Sequence, residues 1–195
     1  MHKLLLFVFL LSCRALHADD IQISVGITPT CPYGLTGCWA GAMEALQQLE
    51  SVDSVTNTPD AYNCTGLIRT KDGALPDPEK WRTQFAKLVG KQYIFRGIEL
   101  TMEGDVEVKD GSVFLKSDHL PKPLLLKPLQ NKLQWNFAKQ HARGAEKEEA
   151  EAYQQLQTAA QNGPLRIKIT GPLQFTATDS ALEVREFFAL TPYRY

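Results

Sequence analysis

The sequence predicts an α+β protein with a leader over residues 1–18. A split β-α-β-β-α-β unit follows over residues 19–97, fused to a five-stranded β-barrel over residues 98–195. Three observations carry this expectation. In the first half the apolar spacing switches between a period of two and a period near 3.6, as strands and helices in alternation require. The second half has three strand-like segments, one amphipathic helix and two more strand-like segments. Of the 195 residues 44% are hydrophobic, and 21 basic residues face 22 acidic ones for a net charge of −1. That balance is too apolar for disorder, and too neutral for strong attraction to nucleic acid or a membrane surface. No run of about 18 apolar residues is present to span a bilayer.

Residues 1–18 have the layout of an export signal. Lys3 gives a basic start, and Leu4 to Leu11 form an apolar stretch too short for a spanning helix. Small residues follow, and cleavage after Ala18 leaves Asp19-Asp20 at the mature start. The run Leu10-Leu11-Ser12-Cys13 resembles a bacterial lipobox, which implies a lipid anchor at Cys13 as the alternative. Either route leads out of the cytosol, to a periplasmic or secreted location where thiols meet oxidising conditions.

In the first unit Ile21, Ile23 and Val25 alternate with Gln22, Ser24 and Gly26, a half-buried strand. A turn-rich stretch leads to Thr36, which caps a predicted helix over Thr36–Leu49. Its face is Trp39, Ala42, Met43, Leu46 and Leu49. Val52 and Val55 open a second strand, and Ala61 to Thr70 read as a third. Asp77 caps a second helix with Pro78 in its first turn, where a missing N–H is harmless. Trp81, Phe85 and Leu88 form that helix's predicted buried face, Gly90 ends it, and Tyr93 to Leu100 form a further strand.

This order is the ferredoxin-like split arrangement. Val25 to Cys31, then Cys38 near the helix start, then Ala45-Leu46, Leu49, Val52 and Val55, resemble the heavy-metal-associated domain family over roughly residues 21–100. The resemblance implies a metal-binding loop between first strand and first helix. In that family two residues separate the loop cysteines, whereas Cys31 and Cys38 are separated by six, with Pro29 and Thr30 ahead of Cys31. After cleavage at Ala18 the cysteines are Cys31, Cys38 and Cys64, an odd number that allows at most one internal disulfide. Several readings stand side by side. Two thiolates at a loop and a helix N-terminus, with Cys64 as a third ligand, suit Cu(I) or Zn²⁺. Cys31 and Cys38 also suit a redox pair. A structural disulfide, Cys31–Cys38 or Cys31–Cys64, and inert buried thiols complete the alternatives.

In the second unit Ile98, Leu100 and Met102 alternate with Glu99, Thr101 and Glu103. Gly104 bends the strand, and Val106 and Val108 resume it. Asp110-Gly111 signals a hairpin, Val113 to Lys116 return, and Lys122 to Leu129 give a third strand with edge prolines. Ala145 to Gln161 are helical, with Ala150, Tyr153, Leu156 and Ala160 on one face, and Gly163-Pro164 stop the helix. Leu165 to Thr170 and Ala181 to Leu190 are the last strands. Three strands, a helix and two strands is similar to an OB-fold, and strand 93–109 is placed to run through both units. Trp135-Asn136-Phe137 reads as a plug under the barrel or the lining of a pocket.

Candidate catalytic residues are sparse. His119 and His141 have no serine or cysteine at a triad spacing. No phosphate loop, paired-histidine zinc motif or nucleophile elbow is present. Glu99, Glu103, Asp105 and Glu107 share one strand face and read as solvated, as do Glu146, Glu148, Glu149 and Glu151 on the helix. Asn63-Cys64-Thr65 matches a glycosylation sequon. The expectation is an exported, non-catalytic binding or interaction protein whose partner is a protein or small ligand. The alternative is an envelope soft-metal chaperone or thiol redox protein using Cys31 and Cys38.

Overall fold

A computed structural model describes residues 21–30, 34–56, 60, 63–73, 75–136, 138–175 and 180–190. The leader, Cys13 and Cys31 lie outside these residues, as do Thr58-Pro59, Ala61 and Phe137. Cys38 lies within a helix whose first side chains are likewise outside the description. In chain order the elements are β1 (Gln22–Pro29), α1 (Gly34–Gln47), β2 (Val52–Val55), β3 (Thr65–Thr70) and α2 (Pro78–Val89). Then come β4 (Tyr93–Lys109), β5 (Ser112–Lys116), β6 (Leu124–Pro128), β7 (Trp135–Asn136) and β8 (His141–Ala142). The chain closes with α3 (Lys147–Gln161), β9 (Leu165–Phe175), β10 (Ser180–Val184) and β11 (Glu186–Ala189). None of the helices described is long and apolar enough to cross a membrane.

β4 is the spine of the molecule. One of its edges pairs antiparallel with β1 over residues 93–101 and then with β5 over 105–109, while the other edge carries β9. On the β1 side the sheet continues in the order β4-β1-β3-β2, every pair antiparallel. On the other side β4, β5, β6, β10 and β9 close on one another, with β6 and β10 the parallel pair. This is a closed five-stranded barrel compatible with an OB-like barrel, with β11 as an extension beyond it. Barrel closure needs sharp bending and close backbone crossings, and two glycines supply them. A Cβ at Gly104 would lie 2.5 Å from the Lys116 carbonyl oxygen, and one at Gly171 would lie 1.6 Å from that of Glu183.

Among the described residues one apolar core runs from the first sheet into the barrel. Ile23, Val25, Ile98 and Leu100 carry it from the first sheet, beneath Trp39, Leu46, Trp81 and Phe85 of the two helices. It continues to Leu115, Leu126, Ile167 and Leu182 of the barrel, closed below by Leu156 of α3. α2 starts as its sequence requires: the Asp77 carboxylate accepts from the backbone N–H groups of Glu79 and Lys80, and Pro78 fills the first turn. Phe85 packs on Phe95 at 5.9 Å between ring centroids.

Six expectations need correction. Thr36, read as a helix cap, lies inside α1, because the helix starts two residues earlier at Gly34. Glu149, read as part of a solvated helix face, is largely buried because Lys132 and Arg185 pair with it. Leu88 is exposed, because the stripe of α2 that meets the sheet is Pro78, Trp81 and Phe85. Ala150 is exposed as well, since α3 docks through Ala152 and Leu156. The last strand, expected over 181–190, is divided at Arg185. β10 there ends its pairing with β6, and β11 continues on β9 in a register shifted by one residue. Glu99, read as part of a solvated face, is buried. Its neighbours explain why and are described below.

Leu46 is fully buried in the shared core. Leu46→Ala should lower stability by about 2–5 kcal/mol in a urea titration.

Candidate functional site

Among the described residues, functional groups gather along an extended segment, residues 130–135, that straps β1 and β4 to β10 and α3. The backbone N–H groups of Gln130 and Asn131 donate to one Glu183 oxygen at 2.8 and 3.1 Å. Lys132 donates to Glu149 at 2.8 Å. Leu133 packs over Gly26, and its carbonyl accepts from Arg96 Nε at 3.0 Å. The Gln134 amide nitrogen reaches both Glu99 oxygens at 3.2 and 3.3 Å. The Trp135 backbone N–H donates to the Asn63 carbonyl at 3.1 Å, and the Trp135 ring centroid lies 5.4 Å from the Arg96 guanidinium carbon.

Arg96 is aimed at the strap by a bulge. Gly26 pairs with Gly97 and the next residue, Ile27, with Phe95, so Arg96 is the extra residue of β4. Phe95 and Ile98 can then both face the helices, while Arg96 turns to the opposite side. There Nη1 donates to Thr28 Oγ1 at 2.6 Å, and Nη2 donates to the Asn63 and Cys64 carbonyls at 3.1 and 3.0 Å. Burial pulls the guanidinium down to about 10.

The second centre is Arg185, between β10 and β11. Its Nε and Nη2 bind Glu99 at 2.9 and 3.0 Å, a bidentate pair in which both side chains are largely buried. It also meets Glu186 at 3.0 Å and Glu149 at 3.5 Å. Burial alone would lower the Arg185 pKa, but the surrounding carboxylates, Glu99 first, raise it instead. For Glu149 burial favours the neutral acid. The bonds from Lys132 and from the Glu146 N–H, with the Lys132 and Arg185 charges, outweigh burial and hold the carboxyl below its ordinary value of 4.5.

Together these groups line an open cleft of about 700 Å³ between α3 and β11, floored by Lys132 and Gln134. Its walls are Glu148, Glu149, Gln155, Glu186 and Phe188. Gln134 is 8% exposed, and its Oε1 has no hydrogen-bond partner among the described residues.

Of the predicted cysteine site the structure places Cys64. It sits at the entry to β3 with φ 54°, buried in the core, and its carbonyl is a ligand of Arg96. Burial pushes its thiol up. Arg96 and Arg143 oppose this and Asp60 adds to it, so the group is held as the neutral thiol. Cys31 and the Cys38 side chain are outside the described residues, so no distance among the three sulfurs follows. Among the described residues no group of three or more His, Cys, Asp or Glu is arranged to hold a metal, and no disulfide is found. His119 and His141 are both exposed. Sequence reading missed Arg96 and Arg185. The signal for Arg96 was present: the apolar positions switch from Phe95 to Ile98, Leu100 and Met102, a change of parity that requires a bulge.

The chain matches no family model, no curated protein and no solved structure.

Two outcomes are expected. Arg185→Met strands Glu99 as a buried charge and should cost about 3–5 kcal/mol by denaturant unfolding, with partial recovery when combined with Glu99→Gln. For Glu149 the folded pKa lies below the unfolded value. Its contribution is therefore complete above 4.5 and is lost as pH falls through the folded value. Urea midpoints measured from about pH 7 down to about pH 3 should fall, and should fall less steeply in Glu149→Gln.

Proposed function

We propose that this chain is an exported, non-catalytic binding protein that receives its ligand in the cleft between α3 and β11. The observation that carries the reading is the state of the cleft's charged groups. Arg185 is held cationic and Glu149 anionic well away from neutral pH, each in a multiple ion pair. A general acid or base works when its pKa lies near the operating pH. Groups pinned in one charge state offer instead a fixed pattern of charge to a ligand, which is what recognition needs. Export rests on the leader sequence of residues 1–18.

We further infer a ferredoxin-like first unit fused to an OB-like barrel. The antiparallel order β4-β1-β3-β2 and the two helices joining its strands support the first part. The parallel β6–β10 pair within the closed barrel supports the second. A soft-metal or redox role would rest on Cys31 and Cys38, with the Cys64 thiol buried in the apolar core.

A photoreactive amino acid at Gln155, on the cleft wall, tests the binding reading in cells that export the full chain. Lys87 on the exposed side of α2 serves as the reference position. A discrete covalent adduct from position 155 and none from position 87 is expected. Equal labelling at both positions, or none at 155, would overturn the reading.

A further inference from the structure

The two ends of the nine-stranded sheet are built differently. Both end strands are four residues long, but β2 carries Asp53 at its centre and pairs with a register shift between Val52 and Ser54. A central charge and an irregular register are among the devices that keep a sheet edge from pairing with other chains. At the other end β11 has the sequence Glu186-Phe187-Phe188-Ala189 and pairs in unbroken register with β9. It has no proline and no charge beyond its first residue. Phe188 is 63% exposed and Leu190, just past the strand, is 41% exposed.

The ladder fixes which backbone groups face outward. The Leu190 N–H donates to the Arg166 carbonyl at 2.8 Å, and Phe188 lies in register with Lys168. Alternation in an antiparallel pair then turns the N–H and C=O of Phe187 and Ala189 away from β9. Among the described residues no strand pairs with that side of β11. The space beside it is the cleft.

The charge in that space has a sign. Glu146, Glu148, Glu149 and Glu186 line the cleft and Glu99 lies beneath it, five carboxylates against Lys132, Arg143 and Arg185. The cations lie towards the floor: Lys132 and Arg185 are largely buried, while Glu146 and Glu148 are exposed. On the exposed face of β9, Lys168 lies in register with Phe188, and Arg166 pairs with Glu103 and Asp105 of β4.

We propose that β11 accepts an extended segment of a partner protein as an added strand, and that this segment alternates basic with apolar residues. Its backbone pairs with Phe187 and Ala189. Its apolar side chains cover Phe188 on one face, and its lysines or arginines on the other face meet Glu148 and Glu146 of α3. A second copy of this chain fits less well, because pairing β11 with β11 would bring two acidic clefts together. The proposal rests on the cleft being a binding site and names what enters it.

The probe is a blocked ten-residue peptide alternating lysine with valine, measured by fluorescence anisotropy against the full mature chain. A glutamate-for-lysine peptide is its control. The lysine peptide should bind at least about tenfold more tightly, and its affinity should fall as salt rises. Ala189→Pro removes one outward N–H, and Glu148→Lys reverses a wall charge. Each should weaken binding by about three- to tenfold or more. A lysine peptide N-methylated at alternate residues leaves the protein unaltered and should lose binding in at least one of its two methylation registers, which covers the case where Ala189→Pro fails to fold. Binding indifferent to N-methylation in both registers, equal binding of the glutamate peptide, or dimers that Ala189→Pro dissociates would overturn the proposal. If the position-155 adduct still forms in that event, the strand proposal alone fails. If the adduct is absent, the binding reading fails beneath it.

Discussion

A single extra residue in β4 sets the relation between the two halves of this molecule. A strand that alternates without interruption cannot put both Phe95 and Ile98 on the helix-covered face, because they are three residues apart. The bulge at Arg96 resolves the parity and expels a guanidinium to the far side of the sheet. A charge there must be hydrogen-bonded or it costs several kcal/mol. Arg96 meets that requirement with Thr28 on β1, the carbonyls of Asn63 and Cys64 ahead of β3, and the Leu133 carbonyl on the strap. The packing demand of the first core therefore generates the tie that holds residues 130–135 in place. The strap in turn forms the floor of the cleft.

The same strap explains why so much charge is buried between barrel and helix. Glu99 faces away from the apolar core, where it would be solvated if the strap and β10 were absent. With Gln134 and Arg185 laid over it, Glu99 has both oxygens bonded to side chains. Buried ion pairs seldom add net stability, but losing one partner is costly, so such a network enforces one arrangement more than it strengthens the fold. Here the enforced arrangement is the relative position of β4, α3, the strap and the β10–β11 junction.

Much of the fold was legible because its signals are local. The Asp77-Pro78 start of α2, the Asp110-Gly111 hairpin, the Gly163-Pro164 stop and the run of β4 through both units follow from neighbours in sequence. The errors fall where a distant contact decides. Glu99 looks solvated by alternation until Arg185, 86 residues later, is known to cover it. Leu88 looks buried by helical period until the width of the contact stripe on α2 is known. The site was less legible still. Of the three predicted cysteines only the Cys64 side chain is among the described residues, and it sits in the apolar core. The charged lining of the cleft is one lysine, two arginines and four glutamates, residue types that on a sequence read as ordinary surface. Only the parity change before Ile98 hinted that Arg96 was unusual.

The arrangement also accounts for a cleft that is rigid on its floor and open at its edge. The charged side chains of floor and inner wall, Lys132, Glu149 and Arg185, are already desolvated and already paired, so a ligand does not have to order Lys132 or Arg185 on arrival. Preorganisation of this kind reduces what association must overcome in side-chain freedom. The outer wall is different: Glu146 and Glu148 are solvated, and Phe188 and Leu190 expose apolar surface. Those groups gain most from being covered. A bound ligand would therefore draw its affinity from the rim and from the β11 backbone, while the buried network fixes the geometry in which the rim is presented.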